Sequence, residues 1–538
     1  MFNFFLTSLQ DCEIGIIGAG PGGLAALKAV LDSPQFREGS WKVTAFEARE
    51  DVGGIWLPAG GNGQADELPP TPLYDSLTTN LPHPIMAFTN YHFPPSTPLF
   101  PKAEVIQEYL RSYASEFNLL PHIHLNTRVT KVNWDGRSEK WALETSQGTS
   151  HSLDLILICN GHHNVPRYPR IPGLQRWVSS GRAAHSIRYR RPSSAPFPLN
   201  SAHTVLVVGG GPSGQDIVAD IANVVKKVVH SASNLRRGDE FEENVIRRGR
   251  TVKFLDDFQG VEFEGGIIET GIDFVLLATG YEVKFPFLPT STQSDAPGGV
   301  YLREGIPLTV PPLPNETWNT SFGVFPLARH MFPFTPLIKR MDGHTTPSPP
   351  ATSIFFFGLL VRVIPMPLIE VQARAALAAF VNPEKVDWTG EAVDVVARYE
   401  ELKARLNVDV RVENGRIHQG WFRLEPQEQF DYRDALVDYI KLLENPDSDS
   451  IRGEGEKDPE RVRRVHDWER EIYSKKDLVR RTWRVLEASG KAEEWVRGVG
   501  EGNSGRTAEE EWIELMFKVV EKGEEDGDRE HEEQKCRL

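Results

Sequence analysis

Two short apolar runs are the clearest feature of the hydropathy pattern, and each leads through glycines into a helical repeat. The runs at 13–17 (EIGII) and 204–208 (TVLVV) are rich in β-branched residues, as buried parallel strands are. The segments 24–30 and 217–224 then carry apolar residues at helical spacing. Between strand and helix, glycines recur with the spacing GxGxxG, at Gly18, Gly20 and Gly23 and again at Gly209, Gly211 and Gly214. The pattern predicts two strand–turn–helix units of the nucleotide-binding type.

Each predicted unit continues with a second strand and is closed by a later one. WKVTAFEAR (41–49) and KKVVHSAS (226–233) supply the second strands. DLILICNGH (154–162) and DFVLLATGY (273–281) are apolar strands that end in small-residue turns, which would return the chain to its sheet. The expected fold class is therefore α/β, with two Rossmann-like dinucleotide-binding domains and a helical C-terminal region.

The first turn has the complete signature of a dinucleotide site. Its first glycine permits a tight turn, its second lets backbone approach a pyrophosphate, and its third lets helix and strand pack closely. Glu47 ends the second strand, where an acid accepts hydrogen bonds from ribose hydroxyls. The candidate cofactor residues of this turn are Gly18, Ala19, Gly20, Pro21, Gly22 and Gly23.

The second turn lacks the acid. Its second strand ends in Ser231 and Ser233, and Arg236 and Arg237 follow. A 2′-phosphate is repelled by an acid and bound by hydroxyl and guanidinium groups, so this site favours NADP over NAD. The alternative is that both arginines are solvated loop charges.

Two dinucleotide turns in one chain are typical of a flavoprotein that takes electrons from a nicotinamide. Cys12, Cys159 and Cys536 form no close pair, which excludes a disulfide reductase of the usual kind. A net charge of −15 argues against nucleic acid as a partner. No apolar run is long enough to predict a membrane span.

Three further stretches, FEAREDVGGIW (46–56), SLTTNLPHPIMAF (76–88) and GRAAHSIRY (181–189), resemble the flavin-containing monooxygenases, most closely the soluble fungal, dimethylaniline monooxygenase-like type. The resemblance covers roughly residues 12–380. It implies FAD and NADPH as cofactors, and O2-dependent oxygenation of a soft nucleophilic N or S atom of a small molecule through a C4a-hydroperoxyflavin. Baeyer–Villiger oxidation, biosynthetic N-hydroxylation and a low-turnover FAD/NADP-binding redox sensor are the alternatives.

The resemblance also assigns roles to individual residues. Asn80 matches an amide that lies beside the flavin and helps to hold the oxygenated intermediate, which makes it the candidate catalytic residue. The other implied contacts are Ile55 and Trp56 with the isoalloxazine, Thr79 with flavin and nicotinamide, Val129 with the FAD adenine, and Ser213, Gly214, Gln215 and Asp216 with the NADP pyrophosphate. Gln372, in a helix expected to begin after Pro367, is a candidate flavin neighbour.

The family motif FxGxxxHxxx(Y/F) maps onto Gly181, His185 and Tyr189, with Ser179 at the position of the first aromatic residue. Trp177 is a candidate substitute for that aromatic. The Tyr189–Arg190 ending favours heteroatom oxygenation over ester formation. His185 is interpreted as an organiser of the nucleotide site in preference to a proton-transfer catalyst, and a plain structural histidine is the alternative to both.

The expected domain order places the second nucleotide unit inside the first. The FAD-binding domain takes 1–200 and 291–385, the NADP-binding domain 201–290, a helical region 386–520 and a disordered acidic tail 521–538. The segment 333–352 has the composition of an inserted loop. A cytoplasmic location is the default expectation, and the terminal Cys-Arg-Leu, which resembles a peroxisomal address, is the alternative.

Overall fold

The fold was examined in a computed structural model. It describes residues 11–58, 68–193, 199, 202–233, 243–289, 302–307, 310–314, 316–334, 349–444, 463–503 and 505–537. Arg236, the core of the 333–352 loop and the terminal Leu538 lie outside the described residues.

Twenty-three strands are present in the described residues. In chain order they are β1 (Cys12–Ile17), β2 (Trp41–Phe46), β3 (Ile123–His124), β4 (Val129–Asp135), β5 (Lys140–Thr145), β6 (Ser150–Leu153), β7 (Leu155–Ile158), β8 (Val165–Pro166), β9 (Ala183–His185), β10 (Thr204–Val208), β11 (Lys227–Ser231), β12 (Val245–Arg248), β13 (Thr251–Phe254), β14 (Val261–Phe263), β15 (Ile267–Glu269), β16 (Phe274–Leu277), β17 (Tyr281–Glu282), β18 (Leu302–Glu304), β19 (Thr317–Asn319), β20 (Val324–Phe325), β21 (Leu327–Ala328), β22 (Phe332–Pro333) and β23 (Ile354–Phe356).

Fourteen α-helices accompany them in the same part of the chain. They are α1 (Pro21–Asp32), α2 (Pro34–Arg37), α3 (His83–Met86), α4 (Ala103–Glu116), α5 (Leu174–Ser179), α6 (Pro212–Ala222), α7 (Pro365–Val381), α8 (Trp388–Leu406), α9 (Val410–Trp421), α10 (Glu428–Glu444), α11 (Asp467–Ser474), α12 (Lys476–Ala488), α13 (Ala492–Val496) and α14 (Ala508–Arg537).

Two parallel sheets of five strands organise the chain, and this confirms the predicted fold class. The first sheet has the order β23-β7-β1-β2-β3, and the second has the order β12-β11-β10-β16-β9. All neighbours within each sheet are parallel. A three-stranded antiparallel sheet accompanies each of them, β4-β5-β6 in the first case and β13-β14-β15 in the second. We call these assemblies the first unit and the second unit.

The second unit is an insertion into the first, but its boundary differs from the expected one. β9 pairs with β16 at the edge of the second sheet, so the unit already includes residues well before 201. The unit also includes α5, because Leu174 and Trp177 pack in its core with Phe254. A short antiparallel pair, β8 with β17, lies where the chain enters and leaves the unit. The NADP-binding domain expected at 201–290 therefore corresponds to about residues 167–280.

The C-terminal helices share a core with the first unit. One continuous cluster of buried side chains includes Leu27 on α1, Ala376 on α7, Leu436 on α10, Trp483 on α12 and Trp512 on α14. A buried ion pair, Arg433 with Glu469 at 2.8 Å, joins α10 to α11 within this region.

The acidic tail is helical, which corrects the expected disorder from residue 521. α14 runs from 508 to 537. Lys522 pairs with Asp526 one turn further on, and Lys475 of the preceding helices reaches Glu524. Charge composition alone predicted a solvated coil, whereas these pairs and the packing of Gly523 against Leu478 hold the helix in place.

Candidate functional site

The first glycine turn is tightly built between β1 and α1. Gly18 has a φ of +100°, and a Cβ added there would lie 2.6 Å from the Cys159 carbonyl oxygen. A Cβ at Gly23 would lie 1.8 Å from the Gly18 carbonyl oxygen. Because neither position has room for a side chain, both glycines are required by the turn itself. α1 begins at Pro21 without a side-chain cap, so its first amides remain available to an anion.

Glu47 lies beside this turn. It follows β2, its side chain is buried, and its Oε2 accepts a hydrogen bond of 2.7 Å from the Ala19 amide. Its Oε1 accepts a second bond from the Arg49 amide at 3.0 Å. These bonds hold the carboxylate at the strand end where a ribose is expected.

The second turn repeats the geometry of the first between β10 and α6. Gly209 has a φ of +129°, and Cβ atoms added at Gly209 and Gly214 would each lie 2.1 Å from a carbonyl oxygen. A Cβ added at Gly211 would meet no atom within 4 Å. The turn thus has free space at Gly211, which we call its open front, and none at Gly209 and Gly214. In both turns the residues present fit a dinucleotide pyrophosphate.

The predicted contacts at the second turn differ in their surroundings. Ser213 is half-buried in the first turn of α6, and Gln215 is exposed, with its Nε2 donating to the Gly210 carbonyl at 3.3 Å. Ser231 is turned away from the turn: it is buried, and its hydroxyl donates to the Gly249 carbonyl and contacts the Thr251 hydroxyl. A direct contact of Ser231 with a 2′-phosphate is therefore not supported, and Ser233 is the exposed hydroxyl in this segment.

The candidate flavin contacts form a second layer in front of the first turn. Ile55 and Trp56 lie in a 3₁₀ turn, 54–56, whose Gly54 packs directly against Gly20. Val129 begins β4, just after Thr127, whose amide donates to the Glu47 carbonyl at 2.7 Å. The 54–56 turn thus packs on the glycine turn through Gly54, and Val129 follows the segment that is bonded to Glu47.

Thr79 and Asn80 occupy a bend, which an isolated antiparallel β-bridge at the preceding residue holds in place. Thr79 is buried; its amide donates to the Pro101 carbonyl and its hydroxyl to the Leu81 carbonyl. Asn80 is exposed. The bend therefore fixes its backbone through Thr79 and leaves the Asn80 amide free to face a ligand.

His185 has a structural arrangement within the second sheet. It is fully buried at the end of β9; its Nδ1 accepts from the Ile187 amide at 3.1 Å, and its Nε2 lies 2.9 Å from the Gly280 carbonyl oxygen. Burial lowers its pKa to about 4. The ring is therefore neutral, with Nδ1 as acceptor and Nε2 as donor, and both nitrogens are engaged within the protein, so the ring organises the 280 turn.

The other motif positions support the same strand. Gly181 has a φ of +77° just before β9, and buried Tyr189 donates its hydroxyl to Asp220 on α6. Trp177 packs against Phe254 and Phe258, so it fills the core of the second unit.

Gln372 is buried in α7, which begins at Pro365, two residues before the expected start. Its Nε2 donates to the Tyr432 hydroxyl at 3.0 Å, and that hydroxyl donates to the Arg329 carbonyl. α7 nevertheless approaches the first turn through Ile369, which would contact a Cβ at Gly22 at 3.9 Å. Gln372 is placed by this network, and its contact with flavin stays a prediction.

The residues that hydrogen-bond to the 71–75 segment could not be predicted from sequence. Arg190 donates to the Thr71 carbonyl at 2.9 Å and accepts, through its own carbonyl, the Asp75 amide. Tyr74 donates its hydroxyl to Asp216 at 2.7 Å. Only the tyrosine and arginine identities were visible in the sequence, and their partners are more than 100 residues away.

Over the part of the chain that the structure describes, no group of three or more His, Cys, Asp or Glu side chains could hold a metal ion. The helices in that part include none that is both long and apolar enough to cross a membrane.

Comparison with known proteins agrees with this geometry. Residues 11–249 match the family described as flavin-binding monooxygenase-like. The thiol-specific monooxygenase of Saccharomyces cerevisiae is 30% identical over 297 residues, which cover 53% of this chain and 64% of that protein. The flavin-containing monooxygenase FMO GS-OX-like 7 of Arabidopsis thaliana is 29% identical over 73% of this chain and 78% of its own length. The chain thus spans just under two thirds of the yeast relative.

Solved structures show the same fold. S-allyl-L-cysteine S-oxygenase from Allium sativum superposes with a TM-score of 0.65 at 22% identity, over 95% of this chain and 98% of that one. Tmm from a Pelagibacter strain gives a TM-score of 0.57 at 22% identity, over 81% and 86% of the two chains.

The family match begins at β1 and continues through both glycine turns to the end of β12. The match therefore covers the part of the chain for which the sequence predicts two dinucleotide-binding turns. By its two nucleotide turns and this match over residues 11–249, the chain is similar to the flavin-containing monooxygenases.

Proposed function

We propose that the protein is an FAD- and NADPH-dependent monooxygenase that transfers one oxygen atom from O2 to a soft nucleophilic N or S atom of a small molecule. The observation that carries the proposal is the presence of two sterically closed glycine turns in one chain, with the 71–75 segment, which leads to the Asn80 bend, hydrogen-bonded to the second unit. The name of the yeast relative, a thiol-specific monooxygenase, favours sulfur as the acceptor atom.

The first turn would hold the FAD pyrophosphate at the N-terminus of α1, and Glu47 would hold the ribose. The second turn would hold the NADPH pyrophosphate on α6, where Gly211 leaves room for it. The chemistry supplied by bound FAD is acceptance of a hydride from NADPH and activation of O2 for transfer to the substrate.

The chain's own residues would orient the cofactors and exclude water. The exposed Asn80 amide can donate two hydrogen bonds and accept others without adding charge, which suits it to hold a polar group beside the flavin. Neutral His185 organises the 280 turn, so it positions the second unit and is not a proton donor. Side-chain acid–base catalysis is not required in this scheme.

The test uses the full chain loaded with FAD and supplied with NADPH, 18O2 and three probes: a thiol or sulfide, a tertiary amine and a cyclic ketone. We expect NADPH oxidation to rise with the sulfur or nitrogen probe and one 18O atom to enter its product. An ester from the ketone would instead identify Baeyer–Villiger chemistry. If the protein binds FAD stoichiometrically but oxidises no NADPH in the presence of any of the three probes, it is a redox sensor and the proposal is refuted.

A further inference from the structure

Three separate parts of the chain meet at one carboxylate of the second unit. Asp216 lies in the second turn of α6, directly behind the glycine turn. The Tyr74 hydroxyl donates to its Oδ2 at 2.7 Å. The Arg480 guanidinium of α12 lies 3.5 Å from its Oδ1, and exposed Arg484 lies 3.8 Å from the same oxygen. Asp216 thus connects the loop of the first unit, the nucleotide helix of the second and the C-terminal helices.

Tyr74 belongs to the first unit by sequence but to the second by packing. Its ring is buried in the core that contains Ile217 and Val218 of α6, at 6.1 Å from the Tyr189 ring. The segment 71–75 is further joined to Arg190 by two backbone-directed hydrogen bonds. Six residues after Tyr74 the chain reaches Asn80, so the position of the Asn80 bend depends on a contact with the second unit.

Arg480 contacts Asp216 from the side of the C-terminal helices. Val479 and Trp483, on one face of α12, are buried in the core of the first unit. Arg480 projects beside them towards Asp216, its side chain is 20% exposed, and its buried Nε has no hydrogen-bond partner among the described residues. An ion pair in such a partly buried position is screened less than one on the surface.

We propose that Tyr74, Asp216 and Arg480 form a latch that sets the second unit against the first, and that Tyr74 and Arg480 are positioning residues for hydride delivery from NADPH to the flavin. This inference rests on the proposed function. Hydride transfer needs the two ring systems within contact distance, and a displacement of about 1 Å can cost on the order of a hundredfold in rate. Asp216 lies on α6, the helix that would hold the NADPH pyrophosphate, and is contacted by both Tyr74 and Arg480. It is therefore suitably placed to set the distance between the two rings.

The experiment uses the FAD-loaded full chain with Tyr74→Phe, Arg480→Gln and the double variant. Tyr91→Phe, which removes an exposed hydroxyl bonded to Ser112, and Arg481→Gln, an exposed neighbour on α12, are the matched controls. Anaerobic stopped-flow mixing with NADPH gives the limiting rate of flavin reduction and the half-saturating NADPH concentration. Hydrogen exchange of peptides covering 71–80 and 212–222 reports the latch without turnover.

We expect the limiting reduction rate of each latch variant to fall about tenfold or more, with a much smaller change in half-saturation. Exchange in both peptides should rise, and the controls should behave as wild type. Because Tyr74 and Arg480 act on one carboxylate, the double variant should lose less than the product of the single losses. Wild-type rates or exchange in either latch variant, or losses that multiply, would overturn the latch. A wild-type protein that NADPH fails to reduce would instead overturn the proposed function.

Discussion

Replacing Gly211 with alanine tests whether the second glycine turn binds a nucleotide or has only a structural role. Gly211 caps α6 with φ −77° and ψ 176°, an extended conformation that alanine adopts without strain. Alanine is a poorer N-cap than glycine, but it also lowers the entropy of the unfolded chain, and each effect is about 0.5–1 kcal/mol. Since the two oppose each other and the new methyl meets no protein atom within 4 Å, the free energy of unfolding should change little.

NADPH binding should change much more. The methyl group would occupy the space through which a pyrophosphate approaches the turn, and a loss of about 1.4 kcal/mol would raise the Kd for NADPH tenfold. The assay is titration of FAD-loaded protein with NADPH, with urea unfolding and FAD content measured on the same preparations. FAD content should equal that of wild type, because the first turn is untouched.

Gly214→Ala is the contrasting variant. Its Cβ would lie 2.1 Å from the Gly209 carbonyl oxygen, where real Cβ contacts are almost never below 3.0 Å, so the turn must open. Overpacking of this kind costs about 1–3 kcal/mol, and stability and NADPH affinity should therefore fall together. If Gly211→Ala binds NADPH as tightly as wild type, the open front at Gly211 is not the pyrophosphate site and the reasoning fails.

Three further predictions concern the flavin bend, the nucleotide preference and the C-terminal core. Asn80→Ala should keep FAD and its reduction by NADPH but release more H2O2 per NADPH, because a loss of ~1.4 kcal/mol of protection speeds unproductive decay about tenfold; tight coupling measured by peroxide and product assays would contradict this. NADPH should exceed NADH in kcat/KM, since the end of β11 has no acid at the place that Glu47 takes after β2, and equal values would contradict it. Arg433→Met should cost about 3–5 kcal/mol at pH 7, because it leaves Glu469 buried without that partner. Burial raises the pKa of Glu469, but Arg433 and Arg463 outweigh it and lower the pKa to about 2. The ion pair's contribution is therefore complete above pH 4.5 and is lost as the pH falls towards 2, so urea unfolding at pH 3 should show a smaller effect of Arg433→Met than at pH 7.

The parts of the fold that were predictable from sequence are those fixed by local chemistry. Apolar runs with β-branched residues define β1 and β10, and sterically required glycines define the turns that follow them. Glu47 was predictable because an acid at that strand end has one common use. Each of these signals lies within about thirty residues of chain.

What could not be predicted depends on pairing between distant segments. β9 has no distinctive sequence, and only its hydrogen bonds to β16 assign it to the second unit. Ser231 is predicted as a nucleotide contact from its place at the end of β11, and its hydroxyl bonds to Gly249 and Thr251 depend on a segment that no local pattern connects with it. The partner of Tyr74, Asp216, lies on α6 and is itself paired with Arg480 on α12, and no spacing rule connects these three residues.

The short antiparallel pair of β8 and β17 determines how the second unit is joined to the rest of the chain. Its strands bring Pro166 and Tyr281 side by side in antiparallel register, so the two ends of the inserted unit are neighbours. Paired residues of this kind lie only about 5 Å apart at their Cα atoms, and a turn of a few residues can close such a gap with little entropic cost. The inserted unit is thus joined to the rest of the chain at one place, and an exchange of this unit for that of a relative would need this junction together with side chains that accept Tyr74, while the first sheet keeps all five of its strands.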